Sequence, residues 1–194
     1  MLALFDFDGT ITTKDSLPDF IKFAVGVRSY YFGLLLLSPM LVAFKLGVIR
    51  NDIAKEKLIS YFFKGWDHAY FQQVADQYSI KRIDKITKPE AMERITWHQH
   101  QGHKVVIVSA SLECWLKKWC KRESIDLIAT RLEISDGKLT GHFAGKNCHG
   151  NEKVNRIRLA INLPEFDYIF AYGDSSGDTA MLQLANESYY RYYK

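Results

Sequence analysis

Apolar positions appear first as a run, Leu2-Ala3-Leu4-Phe5, short enough for one buried strand, and the run breaks directly into Asp6-Phe7-Asp8-Gly9-Thr10. The pattern then changes period. From about residue 15 to about residue 87 it reads helical, with no alternating strand and with Pro18 and Pro39 as breakers. Thr13 to Ser16 offers cap residues, and Leu17, Phe20, Ile21, Phe23 and Ala24 follow at helical spacing. Asn51-Asp52 can cap another helix carrying Ile53, Ala54, Leu58, Tyr61 and Phe62, and residues 64–67 break the pattern before a further helix over 68–78. From Pro89 helix and strand alternate. The spacing predicts a helix over 90–100 closed by Gly102, a β-branched strand over 104–108 (KVVIV), a helix over 112–122 and a short strand over 127–129. A hairpin over 132–142 turns at Asp136-Gly137, and a helix over 153–161, a strand over 168–172 and a last helix from Thr179 follow. This alternation predicts an α/β fold, a Rossmann-like doubly wound parallel sheet with helices on both faces and an all-helical insertion after the first strand.

One stretch complicates the picture. Residues 30–44, YYFGLLLLSPMLVAF, contain no charge, with Arg28 before them and Lys45 and Arg50 after. A bilayer-spanning helix needs about 20 apolar residues, and Gly33 and Pro39 interrupt this run. It is expected to be a buried helix of the helical insertion. The alternative is a membrane-facing surface or an apolar lip, with the three cations placed to meet anionic headgroups.

Composition adds few constraints. With 194 residues, 47% hydrophobic and 25% charged, the chain can bury a full core. Net charge is +4, but the basic residues are scattered among acids, so no nucleic-acid partner is indicated. Cys114, Cys120 and Cys148 have neither disulfide-framework nor zinc spacing. Strand-like sequence from residue 2 leaves no room for a signal peptide, so the expected location is cytoplasmic, peripheral at the inner membrane surface if the apolar run faces lipid.

The chemistry gathers where strands end. Residues two apart on a strand point the same way, so Asp6 and Asp8 share the carboxyl edge of a parallel sheet, where open α/β folds keep their ligands. Crowded carboxylates demand protonation or a divalent cation between them. Gly9 permits a sharp turn with exposed N–H groups, and Thr10 adds a hydroxyl. Ser109 follows KVVIV, where its hydroxyl and nearby backbone N–H groups, including that of Ala110, can hold an anionic oxygen. Lys153 can neutralise a phosphate, and the Gly173-to-Asp178 loop supplies Asp174 and Asp178. Oxygen donors of this kind suit magnesium.

The set Asp-x-Asp, Ser, Lys and Gly-Asp-x-x-x-Asp, in that order over the whole chain, resembles the four motifs of the haloacid dehalogenase superfamily of phosphohydrolases. The helical stretch after the first motif is similar to the C1-type cap of its subfamily IB, phosphoserine-phosphatase-like branch. The resemblance implies a catalytic core over 1–14 and 88–194, a cap over 15–87, and a magnesium-dependent phosphomonoesterase. Asp6 would be the nucleophile, and Asp8 the acid and base. Ser109 and Lys153 would hold the phosphoryl oxygens. Asp6, the Asp8 carbonyl and Asp174 would hold magnesium, with Asp178 supporting them. Gly9, Thr10, Asp15, Ala110 and Arg50 complete the expected substrate contacts.

Substrate choice is less defined. Phosphoserine phosphatases carry a glutamate where this chain has the shorter Asp15, and a cap arginine where it offers Lys55 and Lys57, with Arg50 just before. A small soluble phosphate ester is the expected substrate. Lipid phosphate is the alternative, because the apolar run and the Gly150-to-Val154 stretch are similar to those of bacterial phosphatidylglycerophosphate phosphatases. His98, His100 and His103 diverge on a helix and are expected at the surface or as caps. Ser109-Ala110-Ser111 is not a nucleophile elbow. A signalling receiver would place its phosphorylated aspartate after a later strand, with no insertion after the first. The tyrosines over 189–193 are expected to form an end strand packed on the core.

Overall fold

The computed structural model of the chain describes residues 1–193. Its centre is β1 (Leu2–Phe5), in which all four side chains are fully buried. β2 (Lys104–Leu112) and β6 (Ile169–Gly173) flank it in parallel, β3 (Asp126–Thr130) lies beyond β2, and β7 (Glu187–Tyr190) lies beyond β6. Phe5 pairs in register with both Ile107 and Tyr172. The segments after these three positions therefore reach one edge of the sheet together.

Strand alternation sorts the core into two layers. Leu2 and Leu4 pack with Val106, Val108, Ile157, Ala171 and Met181, the side of α8 (Asn151–Ala160) and α9 (Thr179–Leu182). Ala3, Phe5 and Phe7 pack with Ile95, Trp115 and Trp119, the side of α6 (Pro89–His100) and α7 (Glu113–Arg122). The Phe5 and Tyr172 rings stack at 4.3 Å, and Tyr189 continues the stack at 4.6 Å. Tyr189 and Tyr193 thus pack on the core as expected, whereas Tyr190 and Tyr192 are more than half exposed and the strand ends at Tyr190.

Between β1 and β2 come α1 (Ser16–Val25), α2 (Val27–Leu36), α3 (Ser38–Lys45), α4 (Asn51–Phe63) and α5 (His68–Lys81). The hairpin β4 (Leu132–Ser135) and β5 (Lys138–Phe143) turns at Asp136 and Gly137, both at positive φ, the two-residue geometry that matches strand twist. It packs against α4 so closely that a Cβ on Gly141 would lie 2.7 Å from the Ser60 backbone.

Three expectations need correction. β2 runs on through Ser109 to Leu112, past an irregularity in its pairing with β3, so Ser109 sits within the strand rather than after it. The apolar run is not a buried helix. It is two helices bent by 69°, because Pro39, without an N–H, fits only the opening turn of a new helix. In α2 only Tyr30 and Gly33 are buried, and in α3 nothing is. Among the described residues no single helix is long and apolar enough to cross a membrane.

The third concerns His98, which is completely buried rather than superficial. Its Nε2 meets the Tyr172 hydroxyl at 2.9 Å and its Nδ1 meets His103 Nδ1 at 2.8 Å. Burial, aided by Arg94 and His103, pushes its pKa from 6.5 down to about 3. The unfolded chain then binds one proton more than the folded chain between those values, so this residue withdraws stability as pH falls below 6.5. The expected slope is about 1.4 kcal/mol per pH unit for one proton. Denaturant titrations at successive pH values should show His98→Gln flattening this acid limb, and an unchanged limb would contradict the assignment.

Candidate active site

Asp6 follows β1 directly, its N–H bonded to the Tyr172 carbonyl at 2.9 Å, and it is almost fully buried. Lys153 approaches from the first turn of α8. Its ammonium uses its whole donor capacity, reaching Asp6 Oδ1 at 2.5 Å, Asp178 Oδ1 at 2.7 Å and the Val108 carbonyl at 2.7 Å. Burial alone would discharge it, but the two carboxylates outweigh burial and hold its pKa above the lysine range. For Asp6 burial dominates over Lys153, and its pKa is pushed up to about 7.

Asp178 acts on both sides of its carboxylate. Oδ2 accepts from the Asp174 and Ser175 N–H groups and from the Ser175 hydroxyl, which fixes the loop after β6. Burial opposes its charge, yet Lys153 and these donors keep its pKa below the usual range. The loop passes so close that a Cβ on Gly173 would lie 2.5 Å from that of Asp178. Asp174 is half-buried, accepts from Thr10 Oγ1 at 3.1 Å, and has its pKa raised by burial. Gly9 sits beside it at φ +81°, where a Cβ would come within 2.4 Å of Asp174 Oδ2, so both the backbone and the space require glycine. Carboxylate oxygens of Asp6, Asp174 and Asp178 all lie within 4.8 Å of one another.

Asp8 is oriented from the helical side. The Ser16 N–H donates to Oδ1 at 2.7 Å, and the Ser16 and Ser111 hydroxyls both reach Oδ2. Trp115 Nε1 in turn holds the Ser16 hydroxyl at 3.2 Å. Burial raises the Asp8 pKa, and these donors oppose the rise without cancelling it. Ser109 is buried, its hydroxyl accepting from the Ser111 N–H at 3.0 Å.

These groups surround one cavity of about 320 Å³, with Asp6, Asp8, Ser109, Ala110, Lys153, Asp174 and Asp178 among its lining and Asp15 at its side. Leu17, Pro18, Leu41, Phe44 and Leu58 form apolar walls. Gly9 and Thr10 shape it through Asp174 rather than lining it. Arg50 does not join the cavity. Its guanidinium makes two bonds to Asp52 on the same exposed turn, which hold it at a neighbouring cleft.

The cation that α4 brings to the cavity is instead Lys55, about one and a half turns further along, donating to the Ala110 carbonyl at 2.6 Å. Burial lowers its pKa against the pull of Asp8, Asp15 and Asp6. Lys57 is exposed on another face. His149 also lines the cavity, close enough to Gly177 that a Cβ there would meet its ring at 2.4 Å. The sequence offered Lys55 only jointly with Lys57, in place of a cap arginine, and His149 had no signal beyond lying four residues before Lys153.

The family model described as haloacid dehalogenase-like hydrolase matches residues 3–183, which contain every one of these side chains. The chain belongs to the haloacid dehalogenase-like hydrolases. Among relatives of this hydrolase, Protein CicA of Caulobacter vibrioides is 36% identical over all of this chain and 87% of its own length. A probable phosphatase of Mycobacterium tuberculosis is 28% identical over 96% of this chain and 67% of its own. Among solved structures, a Bordetella pertussis protein of unknown function superposes with a TM-score of 0.83 at 20% identity, over 96% of this chain and 87% of that one. A phospho-aspartyl intermediate analogue of phosphoserine phosphatase gives 0.66 at 23%, over 96% and 84%. At these identities the structures share the fold of this hydrolase, a five-stranded parallel sheet flanked by helices.

Proposed function

We propose that this hydrolase is a magnesium-dependent phosphatase that cleaves phosphate monoesters through an aspartyl-phosphate on Asp6. The observation that carries the reading is the buried Lys153 ammonium joining Asp6 to Asp178 beneath a cluster of three carboxylates. A carboxylate so buried that its pKa reaches about 7, with Asp174 and Asp178 crowded beside it, is short of positive charge, and all the donors are hard oxygens. The residues present therefore fit magnesium. Asp6 and Asp174 would hold it, with the Asp8 carbonyl, while Asp178 stays with Lys153 and the loop. Bound there, the cation would offset the charge of a phosphoryl group next to a carboxylate.

The chain's own groups divide the remaining work. An Asp6 oxygen attacks phosphorus, the bond from phosphorus to the ester oxygen breaks, and Asp8 gives that oxygen its proton. Water then attacks the aspartyl-phosphate as Asp8 takes the water's proton, releasing phosphate and restoring both carboxyl groups. The Ser109 hydroxyl holds one phosphoryl oxygen, and Lys153 takes another by turning one of its three donors from a present acceptor, so a single hydrogen bond has to be exchanged. Burial favours the protonated form of Asp8 that the first step needs.

In this reading residues 15–87 act as a cap over a core of residues 1–14 and 88–194. Helices α1, α3 and α4 supply the walls that face the leaving group, with Asp15 and Lys55 as polar contacts. Phosphate release from p-nitrophenyl phosphate should require magnesium, stop with EDTA and return when magnesium is restored. Release unaffected by EDTA, or none from any monoester tried, would contradict the proposal.

A further inference from the structure

Resting on the phosphatase reading, we infer that α2 and α3 seat this enzyme on an anionic bilayer and that its cavity takes a lipid-borne phosphate monoester from that surface. Two features of α2 and α3 point to lipid. Their outward side chains are apolar and open to solvent: Phe32, Leu35, Leu36 and Val42 are each more than half exposed, and Leu46 and Val48, just beyond α3, are about three-quarters exposed. A soluble surface rarely leaves so many large apolar groups together, and helices of 10 and 8 residues are each too short to cross a bilayer, which suits a pair lying in the interface.

Charge selects the occupant. Between Asp19 and Asp52 the chain has no acidic residue, while Lys22, Arg28, Lys45 and Arg50 are present. Neither Arg28 nor Lys45 has a carboxylate partner among the described residues. With Arg50 paired to Asp52, the cations left beside this apolar face are Lys22, Arg28 and Lys45, and such a balance complements an anionic lipid surface better than a second copy, which would set like charges together.

Continuity with the cavity supplies the substrate class. Leu41 and Phe44 of α3 belong to the wall of the cavity that holds Asp6 and Asp8, so the helix that exposes Val42 to solvent also borders the reacting groups. Gly33 fixes the helix pair there, since a Cβ would come within 2.4 Å of the Phe62 ring on α4. With phosphatidate as probe, hydrolysis would consume one water and yield inorganic phosphate and diacylglycerol.

The test uses the full chain with vesicles of phosphatidylcholine alone or mixed with phosphatidylserine, each with and without phosphatidate. Co-sedimentation should require the anionic lipid, weaken with salt, and fall about tenfold or more in Leu35→Ser with Leu36→Ser. Arg28→Glu with Lys45→Glu, which leaves Leu35, Leu36 and Val42 in place, should lower it to a similar extent. In the leucine variant, turnover of p-nitrophenyl phosphate should persist while phosphate release from vesicle phosphatidate drops with binding. The inference is overturned if the parent ignores anionic vesicles, if the leucine variant binds them as well as the parent, or if the leucine change instead dissolves a dimer. It is also overturned if bound enzyme leaves phosphatidate intact while hydrolysing the soluble ester. Failure of the phosphatase reading is distinct: neither ester would release phosphate, whatever the vesicles do.

Discussion

Asp6→Asn should lower phosphate release roughly ten-thousand-fold or more, about 5 kcal/mol or more in the barrier, while the metal-free protein melts no lower than the parent. The loss follows from chemistry, because an amide oxygen is too weak a nucleophile to form the covalent intermediate. The retained stability follows from the electrostatics of the site. Burial raises the Asp6 pKa from 3.8 to about 7, so ionisation withdraws stability as pH rises through that interval. At pH 8 the parent carries that cost and the amide does not. Lys153 keeps Asp178 as a partner at 2.7 Å, so no buried charge is orphaned. Steady-state rates with melting curves at pH 8 check both halves, and a large fall in Tm would mean that Asp6 is chiefly structural.

Lys153→Met should behave in the opposite way and lose both properties. Lys153 is 1% exposed and stands between two buried carboxylates, so its removal leaves like charges facing each other in low dielectric. Breaking a buried ion pair by deleting one partner costs about 3–5 kcal/mol. For a chain of this size that corresponds to a Tm fall on the order of 10 °C. Turnover should fall about a thousand-fold or more, since Asp6 loses its nearest cation and the phosphoryl group loses a donor. Adding Asp178→Asn should restore part of the stability and none of the activity. Denaturant unfolding of the single and double variants measures this, and a single variant within about 1 kcal/mol of the parent would contradict the network.

The residues that gather at the cavity were legible because their placement depends on little beyond strand period and strand ends. Asp6, Asp8, Asp174 and Asp178 follow strands and Lys153 lies in the first turn of α8, and parallel register brings them to one edge with Ser109, although Ser109 lies inside β2 rather than after it. The surrounding helices were harder to read for a physical reason. An apolar period reports that a helix has an oily face but not what covers it, so α2 and α3 were expected inside and lie outside. Arg50 and Lys55 are five residues apart near the start of α4, and which of them faces the cavity depends on the rotation of that helix. Packing sets that rotation, through Gly33 against Phe62 and Gly141 against Ser60. The burial of His98 likewise depends on β6, which lies about seventy residues away in sequence.

The central claim is that phosphate passes through a covalent ester on Asp6. The direct measurement is to quench the enzyme with acid during turnover of p-nitrophenyl phosphate and map the phosphorylated peptide by mass spectrometry, with Asp8→Asn to slow the second step. The account predicts a hydroxylamine-sensitive phosphoryl group on Asp6. Turnover with the phosphoryl group on another residue, or with no phosphoenzyme even in Asp8→Asn, would contradict it.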